Sequence, residues 1–130
     1  MTLDEHSRTK LEGLHADLAK IVTKAAENPD LDFVITEGLR TLKRQRDLFA
    51  HGATTTMKSR HLTGHAVDLA VVVAGEVRWD WPLYAGLAAL IKKSAAEAGV
   101  PIEWGGDWHS FKDGPHFQLP WREYPAHADA

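Results

Sequence analysis

One carboxylate stands inside the most apolar run of this chain. Ala66-Val67-Asp68-Leu69-Ala70-Val71-Val72-Val73 is rich in β-branched residues and reads as a strand. Ala74-Gly75-Glu76 then turns it into a second short strand, Val77-Arg78-Trp79. Asp68, between Val67 and Leu69, is carried into the interior with its neighbours. An unpaired buried charge is costly, so whatever fold forms must bring a cation to it: a metal ion or an arginine.

The 130-residue sequence as a whole predicts one domain, with a core over about residues 7–121 and neither linker nor internal repeat. Leu11, Leu14, Leu18, Ile21 and Ala25 recur at steps of three and four, predicting a single first helix. Ser7 or Thr9 is the expected cap, and Asn28-Pro29 the stop. Residues 31–36 read as a strand. Thr41 caps a short helix through about Phe49 that Gly52 ends, and residues 53–63 form a polar loop. Asp80 caps a further helix with Pro82 in its first turn, where its missing N–H costs nothing. Leu83, Leu87, Leu90, Ile91 and Ala95 are its expected buried stripe, and Gly99 closes it. Residues 100–104 and 116–119 read as strands around a loop at 105–114, and the tail after Trp121 as irregular. The fold class is α+β, a small antiparallel sheet with helices packed on one side.

Composition narrows the chemistry. Hydrophobic residues make up 44% and charged residues 25%, a globular balance. There is no cysteine, which excludes disulfides, thiolate metal sites and cysteine nucleophiles. A transition-metal site must come from carboxylates and the eight histidines. The net charge of −3 argues against nucleic acid as a partner, and no apolar run reaches the roughly 20 residues of a membrane span. The polar start, residues 1–10, is followed by no apolar segment of a signal peptide, so synthesis in the cytoplasm is expected.

Three segments place reactive side chains at strand ends or in glycine-containing loops. In Ser59-Arg60-His61-Leu62-Thr63-Gly64-His65-Ala66-Val67-Asp68, the seven-residue step from His61 to Asp68 would span roughly 23 Å if extended, at about 3.3 Å per residue. Two ligands of one metal need a bend there, and Gly64 supplies it without a Cβ penalty. In Asp113-Gly114-Pro115-His116-Phe117, the proline excludes regular helix, so a turn delivers His116 to the last strand with Asp113 at its mouth. That pairing suits a metal ligand beside a general base, although an aspartate also simply favours turns. In Glu37-Gly38-Leu39-Arg40, with Gln45 following, Arg40 emerges from a strand as a fixed positive charge for a developing oxyanion. Its alternative is a salt bridge to Glu37 or Glu103.

Other candidates weigh less. His65 is three residues from Asp68, so strand alternation turns it to the opposite face, and it is read as non-ligating. His109 is placed near enough to Asp113 to reach a substrate, whereas His6, His15, His51 and His127 read as solvated. Trp104 and Trp108 fit either a cleft wall or the core. Glu103 and Asp107 are candidates to orient ligands, without an assignment between them.

These blocks resemble a known family. SRHLTGHAVD fits the SxHxxGxAxD motif of the VanY/DD-peptidase-type zinc metallopeptidases, which share a fold with the Hedgehog signalling domain. EGLRT with Gln45, EWGGDW (residues 103–108) and DGPHF are similar to the family's other blocks, in the same order, over about residues 7–121. The resemblance implies a Hedgehog/DD-peptidase-like fold and one Zn2+ per chain held by His61, Asp68 and His116. It implies Asp113 as the base that activates water, Arg40 as the oxyanion partner, and Gln45 and Ser59 at the substrate site. Many carboxypeptidase relatives have glutamate three residues before the last ligand. Asp113 points instead to the L-alanyl-D-glutamate peptidase branch typical of phage endolysins.

The function expected from this resemblance is zinc-dependent hydrolysis of the bacterial peptidoglycan stem peptide between its first two residues. The alternatives are a D,D- or L,D-carboxypeptidase of the same fold, or a non-catalytic zinc-binding module. A monomer is expected, with no separate cell-wall-binding domain. It would act on the cell wall after holin-type release, because no signal peptide is evident.

Overall fold

The computed structural model describes residues 3–53, 59–109 and 112–125. Among these residues, five strands form one antiparallel sheet: β1 (Asp32–Glu37), β2 (Ala66–Val73), β3 (Glu76–Arg78), β4 (Glu103–Trp104) and β5 (His116–Gln118). Their order is β1-β2-β5-β4. β1 runs along one edge of β2, while β3 and β5 share its other edge. Among the described residues, four helices accompany the sheet: α1 (Glu5–Leu11), α2 (Ala16–Ala26), α3 (Leu42–Ala50) and α4 (Trp81–Ala98). No helix among the described residues is long and apolar enough to cross a membrane.

Strand alternation gives the sheet two chemically different faces. Phe33 and Ile35 on β1, Val67, Leu69 and Val71 on β2, Trp104 on β4 and Phe117 on β5 are buried together. They pack with Leu18, Ile21 and Val22 of α2 and with Tyr84, Leu87 and Ile91 of α4 in one core. Leu83 and Leu90, expected in the α4 stripe, are only partly buried at its margin. The intervening residues point the other way. Register pairs Asp68 with His116, and Glu103 with Gln118, so their side chains gather on the face away from that core.

The expected single first helix is two. α1 ends at Leu11 and α2 begins at Ala16, although the apolar stripe from Leu14 onward still faces the core. The break is tertiary in origin. The N–H of His15 donates to the Gly64 carbonyl at 2.8 Å, which draws the chain against the loop preceding β2. The caps differ accordingly. Asp4, not Ser7 or Thr9, caps α1 by accepting from the Ser7 N–H, and His15 caps α2 through Nδ1 rather than standing free in solvent. Ser7 is buried, and its hydroxyl accepts the N–H of Ile35 at 2.8 Å, tying α1 to β1.

Elsewhere the expected elements are present with adjusted bounds. Thr41 caps α3 by accepting from the Arg44 N–H. Asp80 stands at the α4 N-terminus, but its carboxylate pairs with Arg78 at 2.6 Å instead of capping. The strand expected at 100–104 shortens to Glu103–Trp104, followed by a 3₁₀ turn, Gly105–Asp107. The polar loop at 53–63 ends in another 3₁₀ turn, Arg60–Thr63, capped by Ser59. His127 lies outside the described residues.

Candidate active site

The 3₁₀ turn Arg60–Thr63 carries His61 to the polar face of the sheet. Gly64 closes the turn in the left-handed region, at φ 75°, and the chain then enters β2. This is the bend that the His61-to-Asp68 spacing requires. His61 is buried, and its Nδ1 lies 2.9 Å from the Gly38 carbonyl. A carbonyl can only accept, so Nδ1 carries the proton and Nε2 presents its lone pair. Nε2 lies 3.3 Å from Asp68 Oδ1.

His116 comes from the neighbouring strand. Its Nε2 is 2.7 Å from Gln118 Oε1, and its Nδ1 is 3.2 Å from the same Asp68 Oδ1. The Gln118 bond fixes the tautomer that frees Nδ1 toward the site. Gln118 Nε2 in turn donates to Glu103 Oε1 at 3.5 Å, and Trp108 Nε1 donates to that oxygen at 2.8 Å. Glu103 thus orients His116 through Gln118, while Asp107 turns outward to pair with Lys92. Gln118 went unrecognised in the sequence, although its place two residues beyond His116 on a strand gives it the same face.

His61, Asp68 and His116 offer ligand atoms that all lie within 4.8 Å of one another, and they are the group of this kind among the described residues. Two imidazole nitrogens, each oriented by a separate outer partner, and one carboxylate oxygen fit a divalent transition metal such as zinc. Burial raises the pKa of Asp68, but its interactions with His116 and His61, which face its Oδ1, outweigh that and hold the carboxylate well below its usual range. Burial lowers the pKa of His116, and the hydrogen bond to Asp68 reverses that to a net rise. His65 stands apart: its Nδ1 lies 2.7 Å from Thr63 Oγ1, and its ring neighbours His15 and Tyr124.

Asp113 is half-buried beside this group. Its N–H donates to the Gly105 carbonyl at 3.0 Å, and its own carbonyl accepts the His116 N–H at 3.2 Å. Burial and then the charge of Asp68 push its carboxyl pKa upward, against the opposing pull of His116, His61 and Arg40. Arg40 is held by Glu37 through two contacts of 2.6 and 2.9 Å, which is one of the two salt bridges expected for it. Burial raises the Glu37 pKa, but the Arg40 hydrogen bond brings it below the usual carboxylate value. Arg40 also donates to Gln45 Oε1 at 2.7 Å and to Ser59 Oγ at 3.5 Å. Gln45 is fully buried, so its contact with the site passes through Arg40.

A cleft of about 880 Å³ opens over these residues. Arg40, Ser59, His61, Asp68, Asp113 and His116 all line it. So does Trp108, whose ring centre lies 5.0 Å from that of His116. Trp104 belongs to the core and donates its indole N–H to the Gly114 carbonyl at 2.7 Å, so the two tryptophans divide between the two expected roles. His109 is exposed and is not among the residues lining the cleft.

The sequence profile described as phage L-alanyl-D-glutamate peptidase matches residues 1–119. The peptidoglycan L-alanyl-D-glutamate endopeptidase CwlK of Bacillus subtilis (strain 168) is 32% identical over 136 residues, covering 88% of this chain and 81% of that protein. The crystal structure of the Serratia marcescens L-Ala D-Glu endopeptidase ChiX superposes with a TM-score of 0.91 at 44% identity, over 97% of this chain and 95% of that one. The vancomycin resistance D,D-dipeptidase VanXYg superposes with a TM-score of 0.53 at 19% identity, over 82% of this chain and 50% of that one. This last likeness is one of fold. The architecture is Hedgehog/DD-peptidase-like, as the sequence blocks imply.

Proposed function

This chain belongs to the phage L-alanyl-D-glutamate peptidase family, and from that premise we propose that it hydrolyses the L-alanyl-D-glutamate bond of the peptidoglycan stem peptide as a zinc enzyme. The observation that carries the reading is the convergence of His61 Nε2, Asp68 Oδ1 and His116 Nδ1 in an open cleft, with Asp113 beside them. Relatives named as L-alanyl-D-glutamate endopeptidases support the choice of bond.

Three protein ligands are the number found in catalytic zinc sites; when bound, the ion would supply Lewis acidity toward the scissile carbonyl and lower the pKa of the attacking water. The chain's own residues account for the rest. Asp113 takes the proton of the attacking water and passes it to the departing D-glutamate nitrogen as the C–N bond breaks. Arg40 supplies a fixed positive charge toward the oxygen that becomes negative on attack. Glu37, Gln45 and Ser59 hold its guanidinium in place, so orienting it costs little at the moment of reaction.

Digestion of purified peptidoglycan, followed by mass spectrometry of the fragments, tests the proposal. New N-terminal D-glutamate is expected, and dialysis against a chelator should abolish its appearance until zinc is restored. Release of terminal D-alanine instead would make the chain a carboxypeptidase. Intact walls of several chemotypes, treated with zinc-loaded protein, would leave a binding module.

A further inference from the structure

Arg60 and His61 are consecutive, yet they serve opposite flanks of the cleft. His61 contacts the end of β1 through Gly38, and its carbonyl accepts the Arg40 N–H at 2.8 Å. Arg60 reaches the other way. Its buried guanidinium donates to the carbonyls of Leu119 at 2.9 Å and Tyr124 at 2.6 Å, beyond β5. In that position it lies over the ring of Trp121, 4.1 Å from the centroid. Trp121 is therefore braced by a cation that is itself tied to the backbone. It lines the cleft and still leaves 44% of its surface open.

A wide aromatic surface is more than an alanine side chain needs. The cleavage proposed above fixes what else comes near. A single L-alanine and the sugar's lactyl ether separate the scissile bond from the ring of the sugar that carries the stem peptide, so the ring attaches within about 7 Å along the chain. It must enter the same cleft or its rim. A pyranose ring presents a broad face of C–H bonds, which are attracted to the electron-rich face of an indole. Lys112, which also lines the cleft, suits the carboxyl group that D-glutamate retains on the other side of the bond.

We propose that Trp121, braced by Arg60, is a platform for the amino sugar bearing the stem peptide, making this a subsite for glycan-linked substrate. The proposal rests on the cleavage site inferred above. Substrate then lies with its sugar at the Trp121 flank and its D-glutamate away from it. Selectivity for sugar-linked over sugar-free peptide comes from the tail segment after β5.

The test compares two substrates: a stem peptide carrying its disaccharide, and the same peptide with its L-alanine nitrogen acetylated. For Trp121→Leu, the ratio of kcat/KM between sugar-linked and acetylated peptide should fall about tenfold, chiefly through KM. Trp121→Phe, which keeps an aromatic face, should recover most of it. Both substrates are measured on one preparation, so partial unfolding does not alter the ratio. An unchanged ratio in Trp121→Leu, or an equal loss on both substrates, overturns the platform while leaving the peptidase reading intact. Failure of the wild-type protein to cut either substrate between L-alanine and D-glutamate overturns that reading, and this proposal with it.

Discussion

Asp68 shows most directly how one residue fixes the rest of the site. Its position in an apolar strand called for a metal ion or an arginine, and the fold brings two histidines, themselves metal-ligand types, to the same carboxylate oxygen. That requirement was legible because it needs only period-two alternation and the cost of burying charge. The roles of Gln118 and Glu103 were not, because they depend on which strands lie side by side, and register is not written in local spacing. Asp113 is where the chemistry is most exposed to test. Asp113→Ala should lower kcat by roughly 10²–10⁴-fold while zinc remains at one per chain in metal analysis. Wild-type-like turnover in that variant would remove Asp113 from the base role.

Among the elements, the 3₁₀ turn at Arg60–Thr63 does the most positioning. Gly64 ends it with a positive φ, and a Cβ there would overlap the Gly13 carbonyl. The need for a bend could be read from spacing. The break between α1 and α2 that makes room for it could not, because its cause is a contact between residues some fifty positions apart. Gly52 provides the control: it has a similar φ of 73°, but a Cβ there meets nothing within 4 Å. Gly52→Ala should cost about 1 kcal/mol from backbone conformation alone. Gly64→Ala should cost about 2–4 kcal/mol and also weaken zinc binding, because it shifts His61 relative to Asp68. Denaturant melts and zinc titrations of the two variants check this; equal costs would show that the approach to Gly13 carries no weight.

Across the whole molecule, the apolar core and the ligand group occupy opposite faces of one sheet. Among the described residues, twenty buried hydrophobic side chains form the core without help from the site. The metal-free chain should therefore stay folded, with its far-ultraviolet circular dichroism retained. Saturating zinc should still raise Tm, since a ligand that binds only the folded state at a 1,000-fold excess over Kd adds about 4 kcal/mol. For a domain of this size, each kcal/mol corresponds to about 4 °C. His61→Ala should lose that rise. Collapse of the apo protein in a melting scan, or an equal zinc response in His61→Ala, would contradict this separation of core from site.

The pairing of β2 with β5 puts Val67 opposite Phe117 and, one step along, Asp68 opposite His116. A slip of one residue would exchange the two sets, thrusting Phe117 into the cleft and His116 into the core. An inactive isomer with a sound interior is therefore not available to this chain by that route. The misaligned form would carry an exposed aromatic ring and a buried imidazole, the marks by which chaperones and proteases single out defective copies. The sheet thus doubles as a proofreading device: the same register that passes inspection for folding is the one that assembles the site.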